Sequence, residues 1–508
     1  MSEQNKRKGF LGWVERVGNG LPHPVILFII LALAVVVVSF LVVQAGITVD
    51  YFDAKEGEAA TVSAVNLLSA EGLRYIFNSA TKNFTNFAPL GTVLVAMLGV
   101  GVAEWSGLIN VSLKKLLTNT NPKFLTAVVV FAGIMSNIAS DAGYVVVIPL
   151  GAIVFAGAGR HPIAGLAAAF AGVSGGFSAN LLIGTLEPLL SGITNEALIS
   201  GGIDYTVLPT GNYYFLIVST FLLTILGTIV TNRIVEPALG EYTGDYVPND
   251  DPITEKENKG LRNALISLLI FAAVMLLLTV PANAAFKTVD AAGDLNLNEF
   301  MSNGLIFLIL LLFMIPGVAF GKTTGKISNS NDFVESMSDA MKSMGSYLVL
   351  AFFAAQFVSY FTTSNLGIIL SVKGAEFLDR VNFTGVQLIL AFMLLTAFIN
   401  LFIGSASAKW AIMAPIFIPM FYVMGYSPEL TQMAYRIGDS TTNIISPLMN
   451  YFAMILVFVK RYDKKSGLGT LVSTMLPYSI VFLIGWTTLM IIWFLLELPL
   501  GPGAALFV

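Results

Sequence analysis

"YRIGDSTTNIISPL", Tyr435 to Leu448, lies inside a long apolar region. Between Trp410 and Val459 the chain carries only three charged residues, Glu429, Arg436 and Asp439, and two of them fall in this stretch. Ser440, Thr441, Thr442 and Asn443 follow at once. A cation, an anion and four hydrogen-bonding side chains in apolar surroundings need a reason, and the surroundings come first.

The chain has 508 residues, 56% hydrophobic and 11% charged, with a mean hydropathy of +0.80. A soluble domain carries roughly 25% charged residues, so most of this surface does not face water. Runs of about 20 apolar residues, enough to cross ~30 Å of hydrocarbon, recur along the chain. These features define an all-α, polytopic integral membrane protein whose first partner is the lipid bilayer. The absence of cysteine excludes disulfides, thiolate chemistry and zinc–sulfur sites. His23 and His161, the only histidines, each precede a proline at the base of an apolar segment and read as helix-start residues. No metal cluster, cofactor or nucleic-acid partner is expected beyond a coupling ion. "GKTTGK" at 321–326 lacks phosphate-loop spacing and reads as a basic turn.

Nine crossings are expected at about 24–46, 86–106, 162–189, 213–233, 261–282, 302–320, 346–371, 428–459 and 470–496. The first follows a basic start, lacks a small-residue cleavage site, and reads as a retained helix. Two further apolar segments, about 121–160 and 385–426, are each interrupted near the middle by polar residues and read as re-entrant hairpins. With the N-terminus cytoplasmic and the C-terminus outside, 19 Lys and Arg fall on the cytoplasmic side, 6 outside and 2 at membrane depth. That bias sets the orientation, and a cytoplasmic (inner) membrane is the expected location. The polar linker 235–260 divides the chain into halves, 1–234 and 261–508.

Shifted by 266 residues, the halves fall into register. Tyr144 meets Trp410, Pro149 meets Pro415, Pro162 meets Pro428, Gly172 meets Gly438 and Ser174 meets Ser440. Each half has an apolar arm, a small-polar tip ("SNIASDAGY", 136–144; "GSASAKW", 404–410), a second arm with a proline, and an X-Pro turn. A helix then follows, with a break rich in Gly, Ser or Thr ("GVSGGFSANL", 172–181; "GDSTTNIISP", 438–447). On the topology above, the two copies point in opposite directions. Inverted repeats with interrupted helices point to a secondary transporter, its site near the midplane where the breaks meet.

In lipid every backbone N–H and C=O needs a partner, so a broken helix must be buried in protein or line a wet cavity. Oxygen atoms around such a break suit a hard cation such as Na⁺. The expected ion-coupling residues are Ser136, Asn137, Ser140, Asp141, Asn180, Ser405 and Asn443, with Asn137 and carbonyls near Asn180 forming one cage and Ser405 with Asn443 its counterpart. Asp439, Asp141 and Glu187 are the groups able to carry a proton instead. Arg436 and Asp439, three apart, share a helix face while the turn persists. A charge at mid-bilayer costs about 2.5–3.5 kcal/mol even on the lenient insertion scale, so two of them indicate a wet or paired site. The plain alternative is a structural Arg–Asp pair that pins two helices. Glu187, before Pro188, is expected at the outer mouth of the first broken helix.

With these residues in hand the chain resembles the AbgT family, the aminobenzoyl-glutamate transporters. The likeness is carried by "GWVERVGNGLPHP" (12–24), "NFAPLG" (86–91), "GRHPIAGL" (159–166), "GFSANLLIGTLEPLLSGI" (176–193), "GSASAKWAIMAPIFIPMF" (404–421), "RIGDSTTNIISP" (436–447) and "LPLGPG" (498–503). The resemblance implies nine crossings, two hairpins, inverted repeats and a homodimer around an aqueous bowl. It implies a small-molecule substrate, p-aminobenzoyl-glutamate, with sulfonamide export in some members. It assigns the substrate site to Ser407, Trp410, Pro428, Arg436, Asp439, Pro447 and the acidic Glu187. Glu187 stands where aspartate is expected, and Lys409 where some relatives carry an apolar residue. The chemistry agrees with the assignment: Arg436 can grip a carboxylate with two parallel bonds, and Trp410 offers an aromatic face to an aniline ring. A carrier of dicarboxylates or short-chain acids is the competing reading on the same architecture, and Trp410 weighs against it. An intramembrane enzyme would have to work with carboxylates alone.

Overall fold

The computed structural model describes residues 22–53, 58–118, 121–139, 142–242, 252–289, 295–297, 299–300, 304–446, 449 and 451–508. The first half contains α1 (Pro24–Gln44), α2 (Ala70–Thr85), α3 (Ala88–Trp105), α4 (Leu108–Thr118), α5 (Leu125–Ser136), α6 (Ala142–Gly157), α7 (Pro162–Phe170), α8 (Leu186–Ser200) and α9 (Tyr213–Val230). The second contains α10 (Glu255–Thr279), α11 (Leu305–Thr324), α12 (Ser330–Ser343), α13 (Gly345–Thr363), α14 (Leu366–Arg380), α15 (Gly385–Asn400), α16 (Ala406–Val423), α17 (Pro428–Asn443), α18 (Phe452–Tyr462) and α19 (Leu468–Leu495). An antiparallel hairpin, β1 (Thr48–Asp53) with β2 (Glu58–Ser63), pairs Thr48 with Ser63 and docks Val49 against Ile369 and Val372 of α14.

Among the described residues, eight helical stretches are long and apolar enough to cross a membrane. Seven coincide with crossings expected from the sequence, and the eighth is Ala406–Val423, the second arm of the second hairpin. The remaining two expected crossings, 162–189 and 428–459, are each split into two shorter helices: α7 then α8, and α17 then α18. The chain is therefore a helical, multi-pass membrane protein in which both of these expected crossings are interrupted.

The shift of 266 extends from residues to elements. Pro162 opens α7 and Pro428 opens α17; Leu186 opens α8 and Phe452 opens α18. Both openings follow from local chemistry. Proline at the first helical position loses no intrahelical bond, and the preceding side chain caps an orphan amide. His161 Nδ1 accepts from Ile163 N at 3.2 Å, and Ser427 Oγ from Leu430 N at 3.3 Å. The turn that follows α7, and α17 itself, each then press a glycine against the first arm of the hairpin that precedes them. A Cβ on Gly172 would sit 2.3 Å from Val130 O, and one on Gly438 would sit 2.4 Å from Met393 O. No other residue permits those two approaches without moving backbone.

Several boundaries differ from the sequence reading. The expected crossing 346–371 ends at Thr363, because Asn365 adopts φ 58° and α14 sets off anew. The crossing expected from 261 begins at Glu255, where Thr254 and Glu257 form a reciprocal cap. The second break also lies later than expected. Gly438–Asn443 remains helical, and Thr441 and Thr442 return their hydroxyls to Ile437 O and Gly438 O at 2.8 and 3.0 Å. The first break holds where expected: α7 loosens into a π turn at Ala171–Gly175, and the chain is irregular until α8.

Candidate functional site

Five polar residues of α17, at 429, 432, 436, 439 and 443, are spaced three and four apart, so they form one stripe along the helix. All five are buried. Each meets a different element. Both carboxylate oxygens of Glu429 lie 3.2 Å from Tyr205 OH. Gln432 accepts from Asn212 at 2.6 Å and donates to Thr194 Oγ1 at 2.8 Å, and the Trp410 indole donates to the same hydroxyl at 3.0 Å. Arg436 pairs with Glu187 of α8 at 2.7 Å. Asp439 pairs with Lys409 of α16 at 2.5 Å. Asn443 Oδ1 accepts from Asn400 of α15 at 2.8 Å, and its amide reaches Ser174 O at 3.4 Å.

This arrangement corrects three expectations. Arg436 and Asp439 share a face but do not bond each other; their partners come from α8 and α16. Glu187 is not at an outer mouth. It is 5% exposed, its second oxygen accepts from Gly184 N at 2.7 Å, and it begins α8 immediately after the first break. Trp410 is fully buried, with its ring 4.4 Å from that of Tyr435 at 32°, so it does not present a bare aromatic face in this state.

Both buried ion pairs are internally balanced, as burial requires: an uncompensated charge there would cost several kcal/mol. The Lys409–Asp439 contact is close without the alignment of a hydrogen bond, since neither Asp439 oxygen has a hydrogen-bond partner. Lys409 also donates to Asn400 Oδ1, and more weakly to Ile403 O at 3.4 Å. Asn400 in turn donates to Asp439 O, Thr442 Oγ1 and Asn443 Oδ1. The guanidinium of Arg436 retains one buried donor, Nε, without a partner.

A cavity of about 580 Å³ lies beside this cluster, within the range of small-molecule sites. Its wall includes Asn137, Ser405, Ser407 and Asn443, together with Tyr144 and Phe177. The first hairpin, the second hairpin and both broken helices therefore contribute to one space. It extends to Pro22–Pro24 at the start of α1 and to Ser343–Tyr347 at the start of α13. Glu187, Arg436, Asp439, Lys409 and Trp410 are not on its wall. Their chain neighbours are: Leu186 precedes Glu187, and Ser405–Ser407 form the first turn of the helix bearing Lys409 and Trp410.

The other expected residues divide as follows. Asn137 and Asn180 are brought together, both donating to Ile134 O at 3.1 and 3.4 Å, while Asn137 Oδ1 is buried without a partner. Ser136 bonds back to Gly133 O within its own helix. Ser405 and Asn443 share the cavity wall, but Ser405 Oγ caps α16 by accepting from Ala408 N. Pro428 opens α17. Ser140, Asp141 and Pro447 lie outside the described residues. The sequence reading missed Asn400, Thr194, Asn212 and Gln432. The 3–4 spacing of Glu429, Gln432, Arg436, Asp439 and Asn443 was visible in the sequence and would have found the stripe. Its partners on other elements carry no such signal.

Residues 9–508 match the family model described as "AbgT putative transporter family". A p-aminobenzoyl-glutamate transport protein of Escherichia coli (strain K12) is 37% identical over 492 residues, covering 97% of this chain and 96% of that protein. The YdaH transporter of Alcanivorax borkumensis, whose crystal structure is described as having an unusual topology, superposes with a TM-score of 0.88 at 45% identity. That match covers 95% of this chain and all of the other. MtrF of Neisseria gonorrhoeae, described as illuminating a class of antimetabolite efflux pumps, superposes with a TM-score of 0.91 at 46% identity, covering 98% of this chain and all of the other.

Proposed function

The chain belongs to the AbgT family of transporters, and from that premise we propose that it moves p-aminobenzoyl-glutamate or related aminobenzoate and sulfonamide compounds across the bacterial inner membrane. The observation that carries this reading is the shared cavity, to which both hairpins and both broken helices contribute. Two interrupted helices meeting at one site suit alternating access, in which one half rocks against the other around a fixed substrate. The cavity reaches the starts of α1 and α13, the ends that the Lys/Arg bias assigns to the cytoplasm, so this state faces inward. The N-terminus is then cytoplasmic and the C-terminus outside, and two chains pair as a homodimer. The two halves, 1–234 and 261–508, act as the moving units.

In this mechanism Ser407 and Asn443 meet the substrate first, from the cavity wall. The unpartnered Nε of Arg436 marks where a carboxylate can arrive. A carboxylate held by both Nε and a terminal nitrogen would compete with Glu187 for the guanidinium. Binding of an acidic substrate would then free Glu187, which becomes the group available to take a proton. Asn137 with Asn180 is the alternative coupling site, for Na⁺, in the first half. The chemistry asked of the residues is binding and ion coupling, so the chain is a carrier and not an enzyme.

Competition for binding to purified protein tests the substrate class. p-Aminobenzoyl-glutamate should displace a labelled copy of itself at least tenfold more effectively than glutamate or a short dicarboxylate. Equal displacement by the small acids would replace the aminobenzoate reading with the dicarboxylate one.

A further inference from the structure

The second half of the molecule carries its own cation. Lys409 Nζ, fully buried, lies among Asp439 Oδ1, Asn400 Oδ1 and Ile403 O, at the end of the first hairpin arm and facing the broken helix. A carboxylate, an amide oxygen and a backbone carbonyl are the ligand set that a hard monovalent cation takes from protein. The corresponding place in the first half is built without a charge. Lys409 lies 266 residues after Gly143, and a Cβ on Gly143 would sit 2.0 Å from Ser136 Oγ, so no side chain can reach in from there. There the arm ends in Asn137, whose Oδ1 is buried with no donor. One half thus presents an open acceptor, and the other presents a similar set of acceptors already filled by an ammonium group.

Charge balance points the same way. Arg436, Glu187, Lys409 and Asp439 sum to zero, and each is at least 95% buried. Without Lys409 the cluster would hold one uncompensated carboxylate, which must then recruit a cation or a proton. We propose that the Lys409 ammonium is a tethered substitute for a bound Na⁺, so that the Asp439–Asn400–Ile403 site is a monovalent-cation site made permanently independent of external Na⁺. The consequence for coupling is that any Na⁺ dependence of this protein resides in the first half. This inference concerns ion binding alone and stands whether or not the aminobenzoate reading holds, since its test contains no organic substrate.

The test is equilibrium binding of ²²Na⁺ to purified full-length protein, at constant ionic strength with choline as the replacement cation. Lys409→Ala and Lys409→Ser, two small neutral replacements, should each bind one Na⁺ per chain more than the parent. The added Na⁺ should vanish when Asp439→Asn is combined with either. A Lys409→Ala protein that is folded in Na⁺ and unfolded in choline supports the same conclusion. Folded variants that bind no more Na⁺ than the parent overturn it, as does stabilisation by acid alone, which would mean that Asp439 takes a proton instead. A parent whose own Na⁺ binding is lost in an Asp439→Asn variant that remains folded also overturns it, because the site would then be open to Na⁺ with the lysine present.

Discussion

Arg436 and Glu187 are joined at 2.7 Å, and both are buried. Removing one partner leaves the other as a buried, unpaired charge, and such changes typically cost ~3–5 kcal/mol. Glu187→Gln should therefore lower thermal stability sharply, whereas the double variant Arg436→Met with Glu187→Leu should recover most of it. Because Arg436 is assigned to the substrate, that recovered protein should still fail to bind p-aminobenzoyl-glutamate. A double variant that is stable and binds normally would reduce the pair to a structural pin. Arg436→Lys keeps charge and loses the planar fork, so it should stay folded with weakened substrate binding. At this scale the sequence revealed which residues matter but not whom they touch. Arg436 and Asp439 stood out because charges are scarce between Trp410 and Val459. Their pairing with Glu187 and Lys409 depends on how α17 is rotated against α8 and α16, and no local spacing encodes that rotation.

The elements of the two repeats were largely legible, because a proline at the first helical position, a cap and a glycine contact are local signals. Gly172→Ala and Gly438→Ala should each destabilise by about 1–3 kcal/mol, the range for overpacking, since each new methyl meets backbone oxygen of the neighbouring arm. Thermal unfolding in detergent measures this, and an unchanged midpoint for both would mean that the arms are not tightly packed. His161 supplies the cap of α7 through Nδ1, which can accept only while that nitrogen carries no proton. Burial pushes its pKa below the ordinary 6.5, partly opposed by the charges of Glu236 and Asp463. The unfolded chain then binds the proton more readily, so stability is full above pH 6.5 and falls as pH drops below it. His161→Asn keeps a capping oxygen and should remove that acid-sensitive component between pH 7.5 and 5.5; an identical pH slope in parent and variant would discount it. Two kinds of element escaped the sequence reading. Helices α2 and α12 are amphipathic and of low hydropathy, so a search for apolar runs passes over them. The second break was placed at Gly438 because glycine followed by Ser and Thr suggests a helix end, but tight packing of Gly438 on α15 and the back-bonded hydroxyls of Thr441 and Thr442 hold the helix to Asn443.

For the whole molecule, the expected crossings and the arrangement of interrupted helices follow from apolar length and from the repeat at 266 residues, while the cavity and its wall are products of packing that hydropathy does not contain. Orientation is open to a direct check because the chain has no cysteine of its own. In right-side-out vesicles a membrane-impermeant maleimide should label Glu376→Cys, between α13 and α15, and leave Lys464→Cys, between α18 and α19, unlabelled until the membrane is opened. The reverse pattern would invert the proposed topology. The central claim is that this chain is an ion-coupled carrier of an aromatic, acidic solute. Its most direct test is movement of radiolabelled p-aminobenzoyl-glutamate by purified protein in sealed proteoliposomes, with Na⁺ and pH gradients imposed separately and in both directions. The account expects saturable, protein-dependent flux that one of the two gradients drives above equilibrium and that Arg436→Lys weakens. Flux that only equilibrates under every gradient, or none above protein-free liposomes, would contradict it.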